Sequence, residues 1–156
     1  GIHDPYHRAL AGIMARVRAR WGAALLIDLH SMPPVTPAPG SAPPEFVIGD
    51  RFGAACSGTL VAAAFGWLSR AGRIATHNRP YAGGYVLERH AAPGRGIHAL
   101  QIEVDRRCYL DPALVELGQG FARTAELLAG LVAELAARVA ELGAQAPGRP
   151  WADAAE

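Results

Sequence analysis

The chain is short of the features that mark several large classes of protein. It contains no lysine, so all 15 basic residues are arginine, and they are scattered rather than gathered into a basic run. Its two cysteines, Cys56 and Cys108, have a spacing that fits neither a zinc ribbon nor a redox motif. No apolar run approaches the ~20 residues that a membrane-spanning helix needs. We therefore expect a cytoplasmic protein with two free thiols, no nucleic-acid surface and no membrane span.

The remaining composition is that of one globular domain. The chain has 156 residues, of which 51% are hydrophobic, and a formal net charge of +1, so it is long enough to bury a core. We assign a single domain to residues 1–146 and expect residues 147–156 to form a disordered tail. Because the chain starts at Gly1 without a methionine and enters a helix almost at once, we interpret it as a piece of a longer polypeptide.

Helical and strand-like patterns alternate along the chain. Apolar residues at helical spacing predict helices from Asp4 to Gly22, from Ser57 to Ala71 and from Asp111 to Gly143. Short apolar or alternating runs predict strands at 24–30, 46–48, 73–77 and within 98–107. This order indicates an α/β fold in which helices cover a mixed sheet.

The first predicted strand ends in a reactive pair of side chains. Strand residues alternate between faces, so Asp28 and His30 share one face of the apolar run at 25–31. Ligands of α/β proteins often bind at the carboxyl ends of strands. His30 is therefore either a metal ligand oriented by a carboxylate or a core histidine satisfied by hydrogen bonds.

The last predicted strand repeats this design. Gln101, Glu103 and Asp105 lie on one face, opposite Leu100 and its apolar neighbours. A carboxylate inside an apolar strand is costly to bury unless it is paired or ligated. Two core strands that end in acids suggest a shared polar site, for which the simplest chemistry is a metal-bound water with a glutamate as general base. An ion pair between Glu103 and an arginine such as Arg106 or Arg107 is the alternative.

Two loops lie beside these strands. The stretch from Pro33 to Pro44 holds six prolines in twelve residues, and we favour an active-site loop over a linker because it leaves the His30 end of a strand. Polar Asn78, Arg79 and Tyr81 surround a Gly-Gly pair, which suggests a pocket for a small polar molecule.

An arginine between glycines follows the second strand. Arg51 in Gly49–Gly53 suits planar recognition of a carboxylate. A solvated turn arginine is the competing interpretation.

Five motifs in a fixed order carry a family resemblance. They are Pro5-Tyr6-His7, Leu26–Pro33, Gly49–Gly53, Asn78–Tyr85 and Ala99–Arg106. Together they resemble the N-formylglutamate amidohydrolase family over roughly residues 5–115. The wider group includes zinc carboxypeptidases and aspartoacylase-like deacylases. The resemblance implies a phosphorylase/hydrolase-like three-layer αβα sandwich with a mixed sheet, here truncated at its N-terminal side.

The resemblance also implies an activity and roles. The family hydrolyses N-formyl-L-glutamate to L-glutamate and formate, at the end of a histidine-degradation route. By motif, His30 would be the last of three zinc ligands and Glu103 the general base. The residues that would hold the substrate's carboxylates are Arg51, Asn78, Arg79 and Tyr81, and those that would support the site from beside it are Asp28 and Arg106.

The sequence departs from the family in one respect. The family's other two zinc ligands, a histidine and an acid, lie in a segment that precedes this sequence, so we expect a half-site without tightly bound zinc. The alternatives are a hydrolase of another N-acyl amino acid or a peptide, and a non-catalytic remnant that binds a small ligand or a partner. Self-association is expected too, because a shortened sheet would expose an apolar edge.

Overall fold

Four strands form one mixed sheet in the computed structural model, which describes residues 2–37 and 39–145. The strands are β1 (Ala24–Met32), β2 (Phe46–Gly49), β3 (Ala75–His77) and β4 (Ile97–Asp105). Their order is β1-β4-β2-β3; β1 runs parallel to β4, β2 parallel to β3, and β2 antiparallel to β4. The mixed sheet is confirmed. The predicted tail at 147–156 lies outside the described residues.

Within the described residues, four α-helices accompany this sheet. They are α1 (His3–Trp21), α2 (Gly58–Arg70), α3 (Tyr85–His90) and α4 (Phe121–Ala144). Ser57 caps α2, because its side chain accepts a hydrogen bond from the Thr59 N–H. In the described part of the chain, no helix is both long and apolar enough to cross a bilayer.

The helices cover both faces of the sheet. Phe46 and Ile48 of β2, with Leu100, Ile102 and Val104 of β4, pack in one buried cluster with residues of α2 and α4. On the opposite face, Ala99 of β4 packs beneath Leu87 of α3. The first turns of α1 join that second layer, where His7 contacts His90 of α3. The αβα arrangement is therefore confirmed.

The prediction that the last helix starts at Asp111 is wrong, because α4 begins at Phe121. The Asp111 carboxylate accepts hydrogen bonds from the N–H groups of Val115 and Glu116, at 2.9 and 3.2 Å, and so closes a turn. Gly118 and Gly120 then press against the backbone of Leu110 and Cys108, leaving no room for a Cβ. Local side-chain bonding and close backbone packing outweigh the helical pattern over this stretch.

A second close approach joins the ends of α1 and α4. A Cβ on Gly143 would meet the carbonyl oxygen of Trp21 and lie 2.9 Å from the backbone nitrogen of Ala23. We expect Gly143→Ala to lower the free energy of unfolding by about 1–3 kcal/mol, because overpacking outweighs the gain in helix propensity. Urea denaturation measures this. The control is Gly58→Ala, because a Cβ at Gly58 would have no heavy atom of another part of the chain within 4 Å. The free energy of unfolding of this variant should stay within about 0.5 kcal/mol of that of the parent. Equal stability of the two variants would contradict the contact.

The burial of His98 makes the stability of the fold depend on pH. His98 is buried, its Nδ1 has no hydrogen-bond partner among the described residues, and burial lowers its pKa. A lowered folded-state pKa stabilises the fold above the ordinary value near 6.5, and this contribution is lost as the pH falls. We expect His98→Leu to weaken the decline in unfolding free energy below about pH 6.5. Urea titrations at several pH values test this; an unchanged slope would contradict it. Part of the slope should persist, since the pKa values of His7 and His90 are lowered too.

Candidate active site

The parallel register of β1 and β4 brings the two predicted site strands together. His30 lies opposite Glu103, and Asp28 opposite Gln101. Side chains opposite each other in a ladder share a face and stand close enough to interact. His30 Nδ1 is 3.9 Å from Glu103 Oε1, and His30 Nε2 is 3.0 Å from Asp28 Oδ1. The structure therefore places Asp28, His30 and Glu103 in one cluster.

Glu103 is the buried acid of this cluster. It is only 6% exposed, and the Gln101 side-chain amide donates a hydrogen bond to its Oε1 at 2.9 Å. Burial raises the pKa of Glu103, and nearby Asp28 raises it further, whereas His30, the Gln101 hydrogen bond and Arg106 oppose the rise. The result is a carboxyl group that holds its proton more tightly than an exposed glutamate does.

The sequence left open an ion pair between Glu103 and an arginine, and the described residues form no such pair. Arg107 instead pairs with Asp105, its Nε lying 3.1 Å from each carboxylate oxygen. Arg106 Nε lies 3.5 Å from the Ser31 hydroxyl and influences Glu103 only through its charge. The ion pairs of the described residues include none between Glu103 and an arginine.

His30 is the accessible member of the cluster. Its side chain is 46% exposed, whereas that of Asp28 is 20% exposed. The short contact from Nε2 to the Asp28 carboxylate fixes the orientation of the ring, as carboxylates do for catalytic and ligating histidines. Nδ1 then points toward Glu103.

The loop that contains Ala82 lies over β2, on the face of the sheet that carries Glu103. Gly49 of β2 is the register partner of Gln101, and a Cβ on Gly49 would lie 2.7 Å from the carbonyl carbon of Ala82. Only glycine lets the loop backbone approach this closely. The Arg51 N–H adds a hydrogen bond of 2.8 Å to the Ala82 carbonyl. The loop that contains the predicted substrate-binding residues therefore adjoins the Glu103 face.

The side chain of Asn78 forms its hydrogen bonds within the protein. Its Nδ2 donates to Asp50 Oδ1 at 2.7 Å, and its Oδ1 accepts from the Asp50 N–H at 2.9 Å. His77 Nε2 lies 3.0 Å from the same carboxylate oxygen. Asn78 is 4% exposed and has a φ of 59°, a left-handed conformation that asparagine tolerates well. These contacts indicate that Asn78 shapes the loop.

Of the other three predicted substrate-binding residues, one lies at a cavity, which Asn78 also lines. Arg79 lines an open cavity of about 790 Å³ together with Phe52 and residues of the proline-rich stretch at 33–44. Arg51 Nη2 lies 3.5 Å from Glu88 Oε1, and Tyr81 is partly buried. The hydrogen bonds and ion pairs of the described residues include none from Arg51, Arg79 or Tyr81 to His30 or Glu103.

A catalytic metal ion needs more ligands than this cluster offers. Catalytic zinc sites use three protein ligands. Across residues 2–37 and 39–145, no group of three or more His, Cys, Asp or Glu side chains is arranged to hold a metal. His30 can offer one ligand, but its Nε2 is engaged with Asp28. These residues alone do not fit a complete zinc site.

Comparison with known families decides the relationship. A family model described as N-formylglutamate amidohydrolase matches residues 1–110. The chain belongs to this family. The five motifs that suggested the resemblance all lie inside the matched region.

Individual members of the N-formylglutamate amidohydrolase family support the assignment. N-formylglutamate deformylases from Pseudomonas aeruginosa and Pseudomonas putida are 33% and 31% identical over 112 residues, which make up 70% of this chain and 42% of theirs. The crystal structure of N-formylglutamate amidohydrolase from Ralstonia eutropha JMP134 is similar with a TM-score of 0.67 and 28% identity, over 92% of this chain and 50% of that one. The chain thus spans half or less of the length of these relatives.

Sequence reasoning missed one feature of this family member. His7 Nδ1 lies 2.8 Å from His90 Nε2 in a buried pair, with the Tyr85 ring 5.2 Å from that of His7. Burial and neighbouring positive groups lower the pKa of both histidines, so one neutral ring donates to the other. The two residues are 83 positions apart, and no local pattern could have paired them.

A substitution at Asn78 distinguishes a structural role of this residue from direct contact with substrate. We expect Asn78→Ala to lower the free energy of unfolding by about 2–4 kcal/mol, because it removes two buried hydrogen bonds to Asp50 and puts alanine at a positive φ. Urea denaturation measures the loss. Arg79→Ala, at the exposed neighbouring position, should stay within about 0.5 kcal/mol of the parent. Unchanged stability of Asn78→Ala with a raised KM would instead indicate direct contact with substrate.

Proposed function

We propose that the chain supplies part of the active site of a hydrolase that converts N-formyl-L-glutamate to L-glutamate and formate. The observation that carries the proposal is the strand register that sets His30 beside a buried Glu103, 3.9 Å apart. The names of the two Pseudomonas relatives, both N-formylglutamate deformylases, support N-formyl-L-glutamate as the substrate.

Glu103 is the general base in this proposal. Its raised pKa makes the carboxylate a stronger proton acceptor. It takes a proton from the water that attacks the formyl carbon and passes it to the departing amine nitrogen as the C–N bond breaks. The products are formate and the free amino group of glutamate. Gln101 bonds to Oε1 and leaves Oε2 for the water.

The remaining residues hold the reactants in place. Asp28 fixes the His30 ring, and Arg106 adds positive charge near Glu103. Arg51 and Arg79, with Tyr81, bind the two carboxylates of the substrate, since guanidinium groups match planar carboxylates. Asn78 acts indirectly, by holding the loop through Asp50.

Zinc is the cofactor that we propose for the complete family site, with His30 as one ligand. The described residues do not complete that site, so no step above depends on a metal. Metal analysis of the dialysed chain tests this: we expect far less than one zinc per chain. One zinc per chain that is lost in His30→Ala would show that this chain provides a full ligand set.

Formate release by a protein that carries this chain together with the remaining zinc ligands of the family tests the substrate. We expect hydrolysis of N-formyl-L-glutamate in preference to N-acetyl- and N-succinyl-L-glutamate. Faster cleavage of either analogue would assign the protein to another N-acyl amino acid. Absence of cleavage, with binding of N-formyl-L-glutamate retained, would favour a non-catalytic binding protein.

A further inference from the structure

The turn that follows β2 has a strained backbone. Arg51 and Phe52 are consecutive residues with φ values of 55° and 56°, and neither is glycine. A left-handed backbone brings the Cβ of such a residue close to a carbonyl oxygen, which costs free energy. Residues of this kind persist only where the surrounding structure holds them, and they cluster at ligand-binding sites. Phe52 is 69% exposed, so burial of its ring does not hold the turn.

Asp50 anchors this turn immediately before Arg51. It is 3% exposed, and its Oδ1 lies 2.7 Å from Asn78 Nδ2 and 3.0 Å from His77 Nε2. Its carbonyl oxygen accepts a hydrogen bond of 2.9 Å from the Ala55 N–H. Because a buried carboxylate is costly to leave without hydrogen bonds, these contacts fix both the side chain and the backbone of Asp50.

The side chains of Asp50 and Arg51 lie on opposite faces of the sheet. The histidine that contacts Asp50 has its ring 5.6 Å from that of Phe65 in α2, whereas Arg51 Nη2 lies 3.5 Å from Glu88 Oε1 in α3. The helices α2 and α3 pack on opposite faces, and α3 covers the face that carries Glu103. Asp50 therefore does not face a substrate beside Glu103, but its bonds determine how Arg51 is presented there.

We propose that Asp50 is a positioning residue for substrate binding, which holds the turn so that the Arg51 guanidinium meets a substrate carboxylate. The inference rests on the proposed function, in which Arg51 binds one of the two carboxylates of N-formyl-L-glutamate. A guanidinium binds a carboxylate through two parallel hydrogen bonds, so a small rotation of the turn loses part of the contact. A turn that is held before the substrate arrives also avoids an ordering cost on binding.

Steady-state kinetics of the hydrolase that carries this chain with the family's remaining zinc ligands test the role. We expect Asp50→Ala to raise KM for N-formyl-L-glutamate at least about 10-fold and to keep kcat within about 3-fold, because binding is weakened and the chemistry is not. Asp50→Asn keeps an oxygen that can accept the hydrogen bond from Asn78, so it should recover most of the loss. The control is Asp111→Ala, which removes an aspartate that closes a distant turn and should keep the parental KM. A lower kcat with an unchanged KM in Asp50→Ala would overturn the inference.

A double-mutant cycle tests whether Asp50 acts through Arg51. Arg51→Ala should raise KM on its own, and adding Asp50→Ala to it should change KM by less than about 2-fold, because no guanidinium is left to position. If the two effects multiply instead, the inference is wrong and the proposed function stands. Absence of hydrolysis by the parent would overturn the proposed function, and the binding role of Asp50 with it. Should Asp50→Ala not fold, Asp50→Ser carries the same expectations.

Amide hydrogen exchange of the 156-residue chain tests the hold on the turn without any activity. The Arg51 N–H donates to the Ala82 carbonyl at 2.8 Å, and we expect it to exchange at least about 10-fold faster in Asp50→Ala than in the parent. The Gly118 N–H, which donates to the Tyr109 carbonyl at 2.9 Å in the turn after β4, should keep its rate. An Arg51 amide that exchanges equally fast in both proteins would show that Asp50 does not hold the turn.

Discussion

In the proposed hydrolase, with its metal site complete, Glu103→Gln is expected to lower kcat for N-formyl-L-glutamate hydrolysis by about 10²–10⁴-fold, the usual contribution of a general base. The glutamine keeps an oxygen that can accept the hydrogen bond from Gln101, so the local geometry survives while the proton acceptor is lost. KM should change little, because Glu103 acts on the attacking water and not on the bound carboxylates. Steady-state formate release gives both constants.

Two further measurements test whether the loss of activity in Glu103→Gln comes from the loss of the general base. Glu116→Gln, at an exposed turn position, should retain parental kcat. The free energy of unfolding of Glu103→Gln should equal or exceed that of the parent, since a buried carboxylate has been replaced by a neutral amide. A variant that is stable and fully active would remove Glu103 from the chemistry.

Phe46→Ala is expected to lower the free energy of unfolding by about 3–5 kcal/mol. Phe46 is fully buried between the sheet and its α2–α4 layer, so truncation loses its transfer free energy and leaves a cavity. Phe52 is the matched control, because it is the same residue type at 69% exposure. Phe52→Ala should change stability by no more than about 0.5 kcal/mol. Urea denaturation of both variants compares them, and similar losses would contradict the assigned core.

The sequence predicted most reliably what short-range alternation controls. Period-two patterning placed Asp28 with His30 and Gln101 with Glu103, and β1 and β4 have these faces. The helical periodicity located α1 and α2 within one or two residues. That β1 lies next to β4, about 70 residues later in the chain, was inferred only from their similar strand ends.

The errors arose where local chemistry competes with periodicity. Asp111 begins a turn by binding nearby N–H groups, although an aspartate before a proline also resembles a helix start. α3 has six residues, too few to show a helical repeat. The pairing of Asn78 with Asp50 depends on a left-handed residue at the loop, which sequence alone suggested only through a turn signal. Ligand roles for Arg51, Arg79 and Tyr81 stay predictions, because no contact to Glu103 tests them.

The nine-residue parallel ladder between β1 and β4 has a consequence for variation in chain length. Each residue of a strand points away from the side taken by its neighbour, so inserting or deleting one position ahead of His30 inside β1 would turn the imidazole into the core layer and bring Leu29 or Ser31 to face the acid. The proline-rich stretch after β1 is under no such constraint. Homologous chains should therefore differ in length there and keep both strands free of gaps.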